Sequence, residues 1–154
     1  MPDPKLADFT LPAVPGEQFN TADQRGKTLI LYFYPKDNTP GCTNEAIAFR
    51  DHHEAFARLG AVIAGISRDS IKSHSNFSSK FQLPFYLLSD QDETICNQFG
   101  VMKMKNMYGK QVRGIERSTF VINQKGDIVK EWRGVKVPGH AEAVLEFVQT
   151  LQDS

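Results

Sequence analysis

Thr28-Leu29-Ile30-Leu31-Tyr32-Phe33-Tyr34-Pro35-Lys36-Asp37-Asn38-Thr39-Pro40-Gly41-Cys42 is the stretch from which the fold is read. Its first seven residues form an unbroken run of β-branched, aliphatic and aromatic side chains, the pattern of a central strand covered on both faces. Pro35 ends the run, because proline has no N–H to give to a ladder. Thr39 suits a helix N-cap and Pro40 the first helical position, where the missing N–H would have had no partner. From Pro40 to Leu59, residues Cys42, Ala46, Phe49, His53 and Phe56 recur at steps of four and three, the stripe of a helix lying on a sheet, and Gly60 closes it. Cys42 therefore falls in the first helical turn, beside the carboxyl end of a strand, where α/β sheets bind their ligands.

Working outward, Ala61 to Ser67 reads as the next buried strand and Ser70 to Phe81 as a helix. This alternation implies parallel strands, right-handed crossovers and a three-layered α/β/α unit. Asp8 to Leu11 and Gln18 to Asn20 read as an N-terminal β-hairpin around Pro15-Gly16. Further along, Asp92 to Phe99 reads as a short helix, Arg117 to Ile122 with Asp127 to Trp132 as a hairpin, and Ala141 to Leu151 as an amphipathic helix. Lys103 to Lys110 reads as a polar loop on the rim of the site. No linker or repeat divides the chain, so the expectation is one domain over residues 1–154.

Composition narrows the function. With 154 residues, 18 basic and 18 acidic side chains and a formal net charge of zero, the chain can bury one core and has no basic run for nucleic acid or a membrane surface. The longest apolar runs fall far short of the ~20 residues that cross a bilayer. Met1 to Lys5 leads into polar sequence with no leader pattern, so the expected location is the cytoplasm. The two cysteines, Cys42 and Cys96, lack C-x-x-C spacing, which argues against a disulfide framework, a zinc finger or a dithiol oxidoreductase. His52, His53, His74 and His140 form no compact ligand motif; they read as surface or half-buried side chains, and no metal or other cofactor is expected. Trp132 and the phenylalanines read as core, with Phe49 or Trp132 bordering the site.

The first turn of a helix offers a sulfur unpaired N–H groups and the positive end of the dipole. An ordinary cysteine is only about 3% thiolate at pH 7, and raising that to about 90% takes about 3.4 kcal/mol. A helix terminus supplies at best about 2 kcal/mol, so a cation must help. Arg50 and Arg117 are the candidates, and spacing along the chain places neither beside the sulfur.

These residues carry a resemblance. Tyr32-Phe33-Tyr34-Pro35 with Thr39-Pro40-Gly41-Cys42, Glu45 and Phe49-Arg50-Asp51 is similar to the signature of the peroxiredoxins, closest to the bacterioferritin comigratory protein or peroxiredoxin Q subfamily. Leu87-Leu88-Ser89-Asp90, Gly114 to Phe120 and Val135 to Glu142 extend it over nearly the whole chain. The resemblance implies a thioredoxin-like fold with a central mixed β-sheet flanked by helices. It implies reduction of hydrogen peroxide and organic hydroperoxides by Cys42, electrons from thioredoxin, glutaredoxin or a small thiol, and a monomer. It also implies that Thr39 hydrogen-bonds thiolate and peroxide, Pro35 shields the pocket and Arg117 supplies the cation. Glu45 and Arg50 are supporting candidates; Glu45 either holds an arginine or is simply an acid favoured near a helix start.

One departure matters. Relatives of this subfamily often carry a second cysteine five residues after the first, where this chain has Ile47. Either Cys96 resolves the oxidised Cys42, or a thiol from another molecule does; the second is favoured, since a buried cysteine usually acts as a small hydrophobe. A thioredoxin-like binding or chaperone module with a redox-sensitive Cys42 is the rival from another class.

Overall fold

The computed structural model describes residues 3–153; the start of the Met1 to Lys5 segment and the last residue of the chain lie outside them. Strand β1 (Thr10–Val14) and strand β2 (Gln18–Asn20) form the expected hairpin, with Gly16 at φ 84° in its turn. The first strand sits further along than its residues suggest. Asp8 and Phe9 instead meet Thr21, whose hydroxyl donates to Asp8 Oδ1 and accepts from the Phe9 N–H. Strand β3 (Thr28–Phe33) is buried at all six residues, as its composition requires. Helix α1 (Pro40–Asp51) and helix α2 (His53–Arg58) follow, then β4 (Ala61–Ser67), α3 (Ile71–Phe81), β5 (Tyr86–Ser89) and α4 (Thr94–Gln98). Strands β6 (Met102–Met107), β7 (Lys110–Ile115), β8 (Ser118–Ile122) and β9 (Ile128–Arg133) precede the last helix, α5 (His140–Asp153).

Seven strands form one mixed sheet in the order β2-β1-β5-β4-β3-β8-β9. Strands β3, β4 and β5 run parallel, β8 and β9 add antiparallel on one side, and β1 adds antiparallel to β5 on the other. Alternation along β3 divides the core. Leu29, Leu31 and Phe33 pack with Phe9, Phe99 and Phe120, whereas Ile30, Tyr32 and Tyr34 pack with Phe49, Phe56 and Val144. Cys42 belongs to the second cluster and Cys96 to the first, so the sheet lies between them.

Three expectations need correction. The helix from Pro40 breaks at His52 (φ −101°, ψ 4°) into α1 and α2; the apolar stripe continues through His53 and Phe56, which hides the break from a periodicity reading. Lys103 to Lys110 is not a loop: β6 and β7 pair as a separate two-stranded sheet around Tyr108-Gly109, both at positive φ, the geometry of a tight hairpin turn. Its exposed residues lie on both faces, so no apolar alternation marks it. Two of the histidines are buried, His74 at 0% and His140 at 7% exposure. Each is satisfied across elements, His74 by Asp37 and the Leu88 carbonyl, His140 by the Thr119 hydroxyl.

Candidate active site

The end of β3, the start of β8 and the start of α1 converge. Phe33 is paired with Ser118 in the antiparallel β3–β8 ladder, which brings Arg117 to the strand end from which the cysteine loop departs. Tyr34 still donates its N–H to the Ile66 carbonyl at 3.1 Å; Pro35 then ends the ladder. Thr39 takes the N-cap position with extended backbone (φ −99°, ψ 156°), and Pro40 opens the helix. The Thr39 side chain makes no cap bond. Its hydroxyl donates to the Lys36 carbonyl at 2.8 Å, while its own carbonyl accepts the Thr43 N–H at 2.8 Å. Its oxygen is therefore directed by the loop and not by the helix end.

Cys42 is 2% exposed, and the cation demanded by the charge argument is Arg117. One guanidinium nitrogen, Nη2, lies 3.4 Å from Cys42 Sγ; the other, Nη1, donates to Glu45 Oε1 at 2.6 Å. Glu45 stands one helical turn beyond the cysteine and is 1% exposed, so the arginine fork is held between the sulfur and a buried carboxylate. Burial pushes the Glu45 carboxyl up to about 7 against the pull of Arg117, and its Oε2 is buried with no hydrogen-bond partner among the described residues. Burial also works against the charge on Arg117, but Glu45 and Cys42 outweigh it and hold the guanidinium above its ordinary pKa.

Gly41 makes the approach possible. A Cβ there would stand 3.1 Å from Arg117 Nη2, so a side chain at this position would crowd the nitrogen that meets the sulfur. Lys105 on β6 is a second cation that the sequence does not mark, because its segment reads as a polar loop. Its stem lies across Gly114, its Nζ donates to the Ile115 carbonyl at 2.5 Å, and its pKa is lowered by burial and by the charge of Arg117, with Cys42 opposing.

The remaining candidates lie elsewhere or at the margin. Pro35 is half-buried where the loop begins. Arg50 points away from the sulfur, donating to the Phe81 carbonyl at the end of α3 at 2.9 Å and to Asp51 at 3.1 Å. Phe49 is buried, stacking on Tyr32 and meeting the edge of His140. Trp132 is half-buried between His140 and Phe147. Cys96 is fully buried on α4; burial and the neighbouring Asp90 carboxylate push its thiol well up. Among the described residues, Asp37, Asp69 and His74 bring ligand-type atoms within 4.8 Å of one another. Those atoms hydrogen-bond the Tyr34, Ser67 and Ser73 hydroxyls and one another. The cluster reads as a closed network.

A helix-borne sulfur faced by a guanidinium, on a thioredoxin-like sheet and with its second thiol across that sheet, is built to take oxygen from a peroxide: the fold and site define a thiol-dependent peroxidase. The comparisons agree. Residues 2–131 match the AhpC/TSA family model. The chain is 50% identical over 149 residues to peroxiredoxin Bcp of Bacillus subtilis (97% of this chain, 93% of that one). It is 52% identical over 138 residues to peroxiredoxin Bcp of Xanthomonas campestris (90% and 86%). A solved peroxiredoxin Q of Xanthomonas campestris superposes with a TM-score of 0.89 at 49% identity, covering 94% of this chain and 91% of that one. The chain belongs to the AhpC/TSA family, as a peroxiredoxin. No helix among the described residues is long and apolar enough to cross a membrane.

Proposed function

We propose that this peroxiredoxin works with one cysteine, as a single domain and a cytoplasmic monomer. It reduces hydrogen peroxide and small organic hydroperoxides and is recycled by thioredoxin, glutaredoxin or a small thiol. The observation that carries the reading is the Arg117 fork, 3.4 Å from Cys42 Sγ on one side and 2.6 Å from Glu45 on the other. The Cys42 thiolate attacks one peroxide oxygen, and the O–O bond breaks. Its electron pair leaves on the second oxygen, which takes a proton and departs as water or alcohol, while the sulfur is oxidised to sulfenic acid. The acceleration beyond what a free thiolate gives comes from donors aimed at the oxygens as charge moves. Arg117 and the Cys42 N–H are the donors assigned to that task, while the Thr39 oxygen, its proton given to the Lys36 carbonyl, accepts from the peroxide; Pro35 limits water, and Glu45 fixes the arginine. Arg50 has no part in the step.

An external thiolate then attacks the sulfenic sulfur and expels water, and a second thiol releases Cys42 as the external pair becomes a disulfide. Cys96 is left out because the sheet separates its cluster from that of Cys42, and a disulfide needs Cα atoms within about 7 Å. Mass spectrometry after one equivalent of peroxide tests the scheme. The expected product is Cys42 sulfenic acid, trapped by a thiol reagent; an intramolecular Cys42–Cys96 disulfide in most of the protein overturns the one-cysteine reading. Equal peroxide consumption by wild type and Cys42→Ser overturns the role of Cys42.

A further inference from the structure

The loop that leads into Cys42 is tied down at its middle by a buried polar network outside the cysteine–arginine bridge. Asp37 is 6% exposed and fully engaged. Its Oδ1 accepts the Tyr34 hydroxyl at 2.5 Å, its Oδ2 accepts the Ser73 hydroxyl at 2.8 Å, and His74 Nδ1 meets Oδ2 at 2.7 Å. The Asp37 N–H donates to Asp69 Oδ2 at 2.9 Å, and that oxygen also accepts the Ser67 hydroxyl at 2.6 Å. On the far side of the imidazole, Nε2 lies 2.8 Å from the Leu88 carbonyl. With an oxygen partner on each nitrogen, the ring is fixed edge-on between β5 and the loop.

A carboxylate taken out of water is costly unless it is fully bonded. Here it draws its bonds from the end of β3, from α3 and, through the imidazole, from β5, all aimed at one residue of a short loop. Its neighbours carry the site. Lys36, immediately before Asp37, offers the carbonyl that takes the Thr39 hydroxyl proton, so the direction of the Thr39 oxygen depends on where Asp37 is held. The hydrogen bonds of His74 and Asp37 run to Tyr34, Asp69, Ser73, Leu88 and each other, so their influence on the reaction passes through the loop.

We propose that His74 is a positioning residue for peroxide reduction: acting through Asp37, it fixes the Pro35 to Thr39 loop and thereby the Thr39 hydroxyl. This rests on the peroxidase reading and extends it to a residue outside the pocket. The two nitrogens of His74 have separable duties, and two amides separate them. His74→Asn places an N–H donor where Nδ1 stands, toward Asp37; His74→Gln reaches toward the Leu88 carbonyl and abandons Asp37.

The experiment measures hydrogen peroxide consumption with dithiothreitol as reductant, alongside the rate at which iodoacetamide alkylates Cys42. Alkylation needs the sulfur but not an ordered peroxide. His74→Gln is expected to lower kcat/KM for peroxide roughly 10- to 100-fold, the scale of a small misplacement, with alkylation within about threefold of wild type. His74→Asn is expected to stay within about threefold of wild type in both. Equal losses in the two variants, or alkylation falling in step with peroxide turnover, overturn the proposal. If His74→Gln does not fold, the near-isosteric Asp37→Asn carries the same expectation, and unchanged kcat/KM there overturns it. Loss of all turnover in Cys42→Ser is scored separately, so failure of the peroxidase reading is distinguished from failure of this one.

Discussion

Glu45 and His140 both feel the charge of Arg117, and their proton affinities are displaced in opposite senses: burial pushes Glu45 from 4.5 up to about 7 and His140 from 6.5 down to about 4. In both cases the neutral form is favoured in the folded protein. Between pH 4.5 and 7 the unfolded chain releases the Glu45 proton while the folded protein keeps it, so this residue makes stability fall as pH rises. Between pH 6.5 and 4 the unfolded chain takes up a proton at His140 while the folded protein does not, so this residue makes stability fall as pH drops. Each amounts to roughly 3 kcal/mol across its window.

The two contributions oppose one another where the windows overlap, and single substitutions unmask them. Glu45→Gln should leave a protein whose stability drops on acidification from pH 6.5 toward 4. His140→Asn should leave one whose stability drops on raising the pH from 4.5 to 7. Urea denaturation at half-unit pH steps measures both; slopes equal to that of wild type in either variant would show that the site does not store protons in this way.

Replacing Arg117 should separate charge from geometry. Arg117→Met is expected to lower kcat/KM for peroxide by about 10²–10³, the cost of one lost transition-state donor. Arg117→Lys should recover little of it, because a single ammonium nitrogen does not span Cys42 and Glu45 as the two ends of the guanidinium fork do. The stability loss in Arg117→Met should be larger at pH 8 than at pH 5.5, since at the lower pH Glu45 takes a proton instead of standing as an unpaired buried charge. A lysine variant with wild-type turnover would contradict the fork.

Gly41→Ala tests the 3.1 Å approach to Arg117 Nη2. The backbone there is helical, so alanine should keep or slightly raise the melting temperature. Peroxide turnover should nonetheless fall by about three- to tenfold as the guanidinium is pushed off the sulfur. Steady-state kinetics and thermal melts on the same sample give the split. Turnover and stability moving together would locate the effect in folding.

Cys96→Ala should cost about 1 kcal/mol or somewhat more, as the loss of a small buried hydrophobe. Turnover with dithiothreitol should persist. Turnover reduced to a single event, with sulfenic acid accumulating whatever thiol is supplied, would make Cys96 the resolving residue.

The strand, the proline stop and the helix start around Cys42 are legible because each is a local statement: a buried run, a missing donor, a cap. Arg117 is not placeable from the same information. It meets a sulfur 75 residues away along the chain, and that meeting depends on an antiparallel pairing of β3 with β8 that no local pattern specifies. Lys105 is hidden for a related reason, since its hairpin is a separate two-stranded sheet whose β7 strand is exposed along most of its length and buried only at Gly114 and Ile115. His74 and His140 look like surface residues because imidazole is buried only when partners from distant elements receive it, here the Leu88 carbonyl and the Thr119 hydroxyl.

The placement of the two thiols on opposite sides of a seven-stranded sheet has a consequence for the cell's redox traffic. A protein that could close its own disulfide would be able to hold an oxidising equivalent in private. Under the one-cysteine scheme proposed above, with a wall of backbone between its sulfurs, this one hands each equivalent outward as it arrives, and its oxidation state then tracks the supply of outside thiol as closely as the supply of peroxide.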